Sequence, residues 1–549
     1  MQFIFACLVC VLLSADASCF RLPDTTFPTH YTIKFQPDLD TNFFVGQVNI
    51  TLNTTITLPK INLHSSLLNI SQSLLDGLPA TATTTINDFL EVVLDSGDEL
   101  QPGEHDLFIQ FQGTYGEFGL GKVQYTEGNS TGVLIVNEFE PIGARKAFPC
   151  FDEPHFKATF HIILVAPNSS YFAVSNMPQI NNYTTSDGVV FEFENSPKMS
   201  TYLISLAVTN FPCYMNTVHL DDRYLPIRVY SSNASEYNNK RAIRYAQKAM
   251  SFYSNYTSIS YPLSKLDMIE YAKTRAVATE TWGLVQFRRG TINENLLGYD
   301  NFQRFLTISH EFSHFWFGDL VTNSWWSHLW LQEGLATYIS TKFVNDLSKN
   351  EALFKLFDIS DLFRLETKPN TIPIVPKIES NAEIEKVFGD IVYAKGAALF
   401  YSVENVLGPE AFQRAIRRYL RAFAYSSASS NDLVDEFAKE KPESNITSFL
   451  KSYLYQNGLP IVAVEQHTDA YVLTQHDLWH GDRRWTIPIS YLQEGNNTGH
   501  VWFSDDQQSV SIPRIANSSW IIFNIEGFRG LYAVNYSQVL WENLFQHLH

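Results

Sequence analysis

The feature that most constrains this chain is a His-Glu-Phe-Ser-His run at residues 310–314, followed after 18 residues by Glu333. Side chains at positions i and i+4 share one face of a helix, so His310 and His314 can direct their imidazole nitrogens at one metal ion. Hydrolytic zinc sites take three protein ligands and keep a fourth position for water. The sequence therefore predicts two facing helices, with Glu333 as the third zinc ligand and Glu311 as the base beside the metal.

Chance is the alternative explanation for this motif. A bare His-Glu-x-x-His run arises by chance in roughly one or two chains in a hundred of this length, and its histidines are then ordinary polar residues on a helix. Here the run lies in an apolar-rich helical segment, where unpaired polar groups are costly to bury. A glutamate in a second helix-like segment, at residues 329–338, favours the metal site.

Composition limits the classes of partner. The 549-residue chain is 45% hydrophobic and 17% charged, which is typical of a folded protein of several domains. Its formal net charge of −18 argues against nucleic acid and against anionic membrane surfaces as partners.

The first residues indicate export. An apolar run at 3–13 precedes Ala15-Asp16-Ala17, a small-x-small cleavage pattern, so residues 1–17 are predicted to be a signal peptide. A buried helix or strand is the alternative. The run is shorter than the roughly 20 apolar residues that cross a bilayer, and we expect no transmembrane anchor. The expected location is extracellular, either secreted or associated with the cell surface.

Glycosylation sequons agree with export, although each of them alone is a weak signal. Asn49 and Asn53 fall on the polar side of an alternating strand, where a glycan would reach solvent. The sequons are spread over the chain, at Asn49, Asn53, Asn69, Asn129, Asn168, Asn182, Asn233, Asn255, Asn445, Asn496, Asn517 and Asn535.

The cysteines say less about the fold. Cleavage after Ala17 would leave Cys19, Cys150 and Cys213, and so few cysteines give no disulfide framework. At most one internal bridge can form, and a buried free thiol is an equal alternative.

Changes of pattern divide the chain into three parts. Residues 18–214 read as β-rich, with alternating apolar and polar runs such as 31–35 and 156–162. Residues 215–458 mix helical patterns with short strands and hold the metal motif. Residues 459–549 return to short strands that suit a small β-sandwich. The predicted fold class is multidomain α+β.

Several longer runs add a family resemblance. The most specific is Ala-Arg-Lys-Ala-Phe-Pro-Cys-Phe-Asp-Glu-Pro at 144–154, and further runs lie at 199–203, 261–267, 316–322 and 330–334. Together they resemble the aminopeptidase N-like gluzincin family of zinc metallo-aminopeptidases, from about residue 21 to the end of the chain.

The resemblance implies a domain plan. It consists of an N-terminal β-saddle domain at 18–214, a thermolysin-like zinc catalytic domain at 215–458 and a β-sandwich domain at 459–549. The family also has a large C-terminal helical domain, for which this sequence offers no counterpart. The resemblance therefore implies a short form.

The resemblance also assigns residue roles. Tyr393, in a Val-Tyr-Ala-Lys-Gly-Ala run, matches a catalytic tyrosine, and a phenol there can donate a hydrogen bond to the oxyanion of a tetrahedral intermediate. Without the resemblance it would be one of 27 tyrosines and a core residue by default. The family's Gly-x-Met-Glu-Asn motif aligns with Val277–Thr281, where Glu280 can pair with a substrate α-ammonium group. Ala278 and Thr281 are expected to contact the substrate there.

Two departures from the family bear on activity. Val277 stands where the family has glycine, which lets a ligand approach the backbone, and Thr279 and Thr281 replace methionine and asparagine. These changes predict activity that is weak, altered or absent. Glu138 and Glu140 stand where the family often has Gln-x-Gln; they are solvated surface carboxylates by default, and the resemblance makes them part of the substrate-binding end.

These inferences combine into a secreted zinc aminopeptidase, with one Zn²⁺ per chain, that removes N-terminal residues from peptides with a free N-terminus. A rival hypothesis is a secreted peptide-binding protein on an aminopeptidase scaffold whose turnover is weakened or lost. A third is endopeptidase action, in which the free amine is irrelevant.

The acidic residues also suggest a substrate preference. Carboxylates crowded into one pocket repel each other and favour cationic company, so lysine or arginine is expected as the first residue of the substrate. The alternative is that the extra carboxylates hold Ca²⁺, an oxygen-seeking ion, which would admit acidic first residues.

Overall fold

The computed structural model describes residues 20–127, 130–232, 235–272, 276–292, 299–348, 359–368, 371–479, 481–515, 518–525 and 530–547. The predicted signal peptide, Cys19 and the sequons at Asn129, Asn233 and Asn517 lie outside these residues. Within the described ranges, the helices are all too short or too polar to cross a membrane.

A ten-stranded sheet dominates the N-terminal part. The strands Thr26–Pro37 and Thr159–Ala166 pair in parallel, and all other neighbours in this sheet are antiparallel. In spatial order the strands are Gln179–Thr185, Gly188–Phe193, Thr159–Ala166, Thr26–Pro37, Phe43–Thr54, Gly103–Thr114, Asn69–Leu75, Leu78–Thr84, Phe89–Leu94 and Ile61–His64.

A smaller sheet connects this part to the site. Its strand Ser130–Glu138 ends on Glu138, so the chain leaves the sheet directly before Glu140. Its four strands in spatial order are Phe172–Ser175, Leu206–Thr209, Ser130–Glu138 and Gly119–Glu127.

The central part is built on a five-stranded sheet. Every residue of its middle strand, Leu266–Tyr271, is buried, and this strand runs parallel to both neighbours. Burial on both faces is typical of parallel pairing, and here it includes the carboxylates of Asp267 and Glu270. The spatial order is Cys213–Leu220, Arg223–Ser231, Leu266–Tyr271, Leu284–Arg288 and the short edge strand Ala278–Thr279.

The C-terminal part has two further sheets, as expected for a small sandwich. One contains Val510–Pro513, Ala470–Asp477, Pro460–Gln466 and Ala533–Tyr536, and the other contains Asn497–Phe503, Ile487–Gln493 and Ile521–Phe523. A two-stranded pair, Val321–Asn323 with Ser426–Ala428, lies in the central part.

Helices surround the central sheet. The α-helices are Glu236–Thr257, Tyr299–Ser313, Trp330–Ser348, Ile359–Glu366, Asn381–Lys386, Gly396–Leu407, Pro409–Ala422, Ser430–Glu440, Ile446–Leu454 and Gln538–His547. The described residues also form one π-helical turn, Ile391–Lys395, and four 3-10 turns, at Ile86–Asp88, Ala144–Lys146, Thr201–Leu203 and Trp326–His328. The predicted multidomain α+β class is confirmed.

Two details differ from the sequence expectation. The suggested boundary after residue 214 falls inside the strand Cys213–Leu220, so the central sheet begins at Cys213. The run 156–162 does alternate in burial from its first residue, but the regular ladder begins at Thr159, because Ala158 forms only an isolated bridge with Met199. Among the cysteines expected to remain after signal-peptide cleavage, Cys150 is a buried free thiol and Cys213 is an exposed free thiol.

Candidate metal centre and substrate cleft

Two helices carry the zinc motif. The motif helix (Tyr299–Ser313) contains His310, and His314 continues its last turn by donating its backbone N–H to the carbonyl of His310 at 3.2 Å. The glutamate helix (Trp330–Ser348) carries Glu333 in its first turn. The motif helix ends at Ser313, and the chain reverses at Gly318, whose φ of +146° favours glycine.

The three expected zinc ligands converge on one point. Nε2 of His310 lies 2.9 Å from Nε2 of His314, and Oε2 of Glu333 lies 3.1 Å and 3.3 Å from these two nitrogens. A tetrahedral zinc ion with bonds of about 2.0–2.1 Å holds its ligand atoms about 3.4 Å apart. The triangle therefore matches three corners of a tetrahedral site.

The donor set fits a cation. Nδ1 of His314 lies 2.9 Å from the carbonyl of Phe317, so Nδ1 carries a proton, and in the neutral imidazole that binds a metal Nε2 then offers its lone pair. Two imidazole nitrogens and a carboxylate oxygen then face one another, and a divalent ion between them satisfies all three. Within the described residues, these side chains are the one group of three or more His, Cys, Asp and Glu whose ligand atoms lie within 4.8 Å of one another.

The surrounding charges reinforce this fit. Burial lowers the pKa of His314, but the carboxylates of Glu280 and Glu333 outweigh burial and hold that pKa well above its usual value. Burial raises the pKa of Glu333, but the charge of His314 and hydrogen bonds from His310 and His314 lower it to about 2. The site attracts positive charge and keeps Glu333 ionised.

The expected base lies beside the ligands and outside their group. The Glu311 side chain is buried, with 6% of the residue exposed, and it lines the same cavity as His310 and His314. Burial, with the nearby carboxylates of Glu280 and Glu333, holds its pKa well above the usual range. A raised carboxyl pKa suits a group that must take up and give back a proton.

Tyr393 lies beside the same group of ligands. It lies in the π-helical turn Ile391–Lys395, and its ring centre is 5.9 Å from that of His310. Burial and the carboxylate of Glu333 raise its pKa well above the ordinary phenol value, so the hydroxyl stays protonated. A protonated phenol here can act as a hydrogen-bond donor.

A glycine pair explains how this turn comes so close. A Cβ added to Gly334 would lie 3.1 Å from Cα of Gly396, and a Cβ on Gly396 would lie 3.1 Å from Cα of Gly334. The glutamate helix and the helix Gly396–Leu407 therefore approach backbone to backbone. Because Gly334 follows Glu333 and Gly396 follows the tyrosine turn, this contact sets the ligand and the phenol side by side.

The carboxylates of the substrate-binding end lie in the same cavity, whose volume is ≈ 520 Å³. Glu280 directly follows the edge strand Ala278–Thr279, and its Oε1 lies 4.0 Å from Nδ1 of His314. Oε1 of Glu280 and Oε1 of Glu140 are buried and have no hydrogen-bond partner among the described residues. Glu138 lines the cavity as well. This end can accept a cationic group.

Two expectations for this end need correction. Thr281 does not reach the cavity, because the residue is 1% exposed and its hydroxyl donates to the carbonyl of Leu284 at 2.5 Å. Ala278 does line the cavity. The calcium hypothesis has no support, since Glu138, Glu140 and Glu280 do not form a close ligand group in the described part of the chain.

Sequence reasoning missed several cavity residues. Those on the glutamate helix follow Glu333 at helical spacing, which is a signal that could have identified them. Gln303, Leu306 and Thr307 precede His310 by 7, 4 and 3 positions on the motif helix, so the same spacing indicates them. Pro141, Ala276 and Phe388 have no such signal. The missed residues are Pro141, Ala276, Gln303, Leu306, Thr307, Thr337, Ser340, Thr341 and Phe388.

Comparison with known families agrees with this geometry. The model of the peptidase family M1 domain matches residues 241–453, and that of the peptidase M1 N-terminal domain matches residues 27–203. The first match contains the metal centre and Glu280, and the second contains Glu138 and Glu140.

Curated relatives share about 30% of their residues with this chain. Aminopeptidase M1-C of Oryza sativa subsp. japonica is 31% identical over 489 residues, which cover 86% of this chain and 54% of the relative. Aminopeptidase Ey of Gallus gallus is 30% identical over 584 residues (96% and 59%), and Aminopeptidase Q of Homo sapiens is 28% identical over 594 residues (96% and 58%). The chain thus spans little more than half the length of these relatives.

Proposed function

This chain belongs to peptidase family M1, and from that premise we propose that it is a zinc-dependent aminopeptidase that releases N-terminal residues from peptides. One observation carries the proposal. The ligand triangle of His310, His314 and Glu333 opens on the same cavity as the carboxylate of Glu280, whose Oε1 accepts no hydrogen bond from the described residues. A metal centre and an ammonium acceptor at that short range favour cleavage next to a free N-terminus.

The chemistry follows from the positions of the side chains. When zinc is bound by His310, His314 and Glu333, it supplies Lewis-acid activation of a water molecule and of the scissile carbonyl. Glu311 takes the proton of the attacking water and passes it to the leaving amine. The hydroxyl of Tyr393 donates a hydrogen bond to the developing oxyanion.

The carboxylates of Glu280 and Glu140 determine which peptide bond of the substrate lies at the metal centre. Glu280 and Glu140 each offer a buried oxygen that accepts no hydrogen bond from the part of the chain that the structure describes, and an α-ammonium group would satisfy both through charge-assisted hydrogen bonds. Because burying such an oxygen unpaired is costly, a blocked N-terminus should bind poorly. This arrangement favours exopeptidase over endopeptidase action.

A second candidate function is peptide binding with little turnover. Val277 lines the cavity and is 47% exposed, at the position where the family motif has glycine. A β-branched side chain there narrows the approach of a peptide to the edge strand Ala278–Thr279. The scaffold would then hold zinc and a free amine without efficient hydrolysis.

We propose that the protein acts outside the cell. The apolar run before residue 17 supports export, and the sequon residues Asn69, Asn168 and Asn182 are exposed. N-terminal sequencing of protein collected from the medium of expressing cells tests the location, and retention of residues 1–17 would contradict it.

A panel of fluorogenic aminoacyl amides separates the functions. The aminopeptidase proposal expects release of the fluorophore, loss of release with a chelator, and no cleavage next to an N-acetylated residue. Binding of a peptide without any release favours the second candidate. Cleavage of N-acetylated peptides would contradict both.

The panel also tests specificity. We expect arginine or lysine amides to be preferred over the alanine amide, because Glu138, Glu140 and Glu280 line one end of the cavity. Glu138→Gln should lower the arginine-to-alanine ratio of kcat/KM by about tenfold, as expected when one charge-assisted contact worth about 1.4 kcal/mol is lost. Added Ca²⁺ should leave the ratio unchanged. An alanine preference that Glu138→Gln does not alter would show that these carboxylates do not select the first residue.

Tyr393→Phe isolates the phenol hydroxyl. The change keeps the ring that packs against His310, so folding and zinc content should be those of wild type. Loss of one oxyanion donor typically slows the reaction by about 100- to 1000-fold. Steady-state kinetics on the best amide of the panel measure the effect, and an unchanged kcat would remove Tyr393 from the mechanism. Tyr401→Phe, a change on the next helix away from the cavity, serves as the matched control.

A further inference from the structure

A buried ion pair stands behind the tyrosine turn. The side chains of Lys395 and Glu366 are 1% and 0% exposed, and Nζ of Lys395 lies 2.5 Å from Oε1 of Glu366. The same ammonium donates to the carbonyl of Gly458 at 3.1 Å. Neither side chain lines the cavity.

The pair is closed by the chain that leads into the C-terminal sheets. The backbone N–H of Gly458 donates to Oε2 of Glu366 at 2.8 Å, so both carboxylate oxygens are used. Gly458 has φ +88°, and the guanidinium of Arg483 lies 3.5 Å from the place where its Cβ would be. The residues after it form the strand Pro460–Gln466. Lys395, Glu366 and Gly458 therefore make one closed node, which we call the junction node.

The junction node holds the turn that carries Tyr393. Lys395 is the last residue of the π-helical turn Ile391–Lys395, two residues after Tyr393. The next residue, Gly396, packs on Gly334 of the glutamate helix. The turn is thus fixed on one side by the helix that carries a zinc ligand and on the other side by the junction node.

Stability alone does not explain an ion pair at this place. A pair of apolar side chains of similar volume is often as stable as a buried ion pair or more stable, whereas charged partners impose one geometry. A wide π-helical turn is an uncommon conformation that is frequent at functional sites. The contacts of Lys395 anchor this turn close to the side chain of Tyr393.

We infer that Lys395 is a positioning residue for Tyr393: its ammonium, held by Glu366 and Gly458, sets the turn so that the phenol reaches the metal centre. This inference rests on the proposed role of Tyr393 and extends it to the junction with the C-terminal sheets. Lys395 lies outside the cavity, so its effect on turnover is indirect, and we assign that effect to the turn that carries Tyr393.

The test is a double-mutant cycle in the full chain. Lys395→Met should lower kcat for the best amide by about tenfold, with KM and zinc content unchanged. In the Tyr393→Phe background the same change should have less than a twofold effect, because two changes that act through one group are not additive. An equal loss in both backgrounds, or no loss in wild type, would overturn the inference.

A binding measurement makes the test independent of turnover. The probe is a phosphinic dipeptide analogue, whose tetrahedral phosphorus replaces the scissile carbonyl, and its Kd is measured by calorimetry. Lys395→Met and Tyr393→Phe should each weaken binding by about tenfold and the double variant by no more than either. This result would support the inference even if the amide panel showed no hydrolysis, and a Kd unchanged by Lys395→Met would contradict it.

Two further variants guard against a purely structural effect. Lys342→Met removes another lysine ion pair, Nζ of Lys342 to Oε1 of Glu404 at 2.6 Å, which also joins the glutamate helix to the helix Gly396–Leu407. It should leave kcat unchanged. If Lys395→Met does not fold, Glu366→Gln keeps the shape of the node and removes its negative charge, and it should show the same non-additivity with Tyr393→Phe. Equal losses from Lys342→Met would reduce the role of Lys395 to general packing.

Discussion

Glu311→Gln should bind one zinc per chain as wild type does and lose about 100- to 10,000-fold in kcat, the range that a positioned general base contributes. The amide has the shape of the carboxylate but cannot take up the proton of the attacking water. Glu311 is outside the ligand group formed by His310, His314 and Glu333, so the metal should remain. The loss therefore separates proton transfer from metal binding.

Elemental analysis and steady-state kinetics on the same preparation decide this prediction. Glu410→Gln, at an exposed helix start far from the cavity, is the matched control and should behave as wild type. Wild-type kcat in Glu311→Gln would exclude Glu311 as the base. Loss of zinc in that variant would instead mean that the carboxylate helps to hold the ion.

His310→Ala should abolish zinc binding and, with it, all hydrolysis above the rate of chelator-treated protein. The change removes one of three ligand atoms and leaves Oε2 of Glu333 without its 3.1 Å contact to Nε2. It also opens a space between the motif helix and the glutamate helix. We therefore expect a lower melting temperature as well, since a metal that binds only the folded chain stabilises it.

Metal content per chain and thermal unfolding with and without a chelator measure this outcome. His476→Ala replaces an exposed histidine of a C-terminal strand and should keep one zinc and an unchanged response to the chelator. A full zinc complement in His310→Ala would place the ion elsewhere, and the ligand assignment would then be wrong.

The metal triad could be predicted because its three residues lie close together in the sequence. His310 and Glu333 are 23 residues apart, and helical spacing converts the run at 310–314 into a common face. The same reasoning extends to Thr337, Ser340 and Thr341, which lie on the Glu333 face of the glutamate helix and line the cavity. Patterns of this kind need no knowledge of tertiary structure.

The tyrosine turn could not be predicted on that basis. Nothing in the run around Tyr393 distinguishes a π-helical turn from an ordinary helix start, and the family resemblance alone singled out that residue. Its position depends on the Gly334–Gly396 contact and on Glu366, which come from other parts of the chain. Glycine next to a functional residue in two helices is the one local hint that their backbones approach closely.

For Thr281, the family motif alone led to a wrong expectation. Alignment with the family motif put it beside Glu280 in the substrate site, but both residues lie after the edge strand, where Thr281 enters a turn closed by the backbone N–H of Leu284. Glu280 faces the cavity, and the Thr281 hydroxyl turns to the carbonyl of Leu284. The turn to Leu284, which a motif does not encode, keeps Thr281 out of the cavity.

The residues at the two ends of the cavity differ greatly in how far apart they lie along the chain. The metal triad needs only two successive helices, whereas the ammonium acceptor combines Glu140, after an N-terminal strand, with Glu280, after the edge of the central sheet. Contacts between segments so distant in sequence form late, because closing long loops is slow. During folding, the metal triad can thus assemble before Glu140 and Glu280 are brought together. Under the proposed function, selection for a free N-terminus would therefore depend on the completed architecture and not on the metal motif alone.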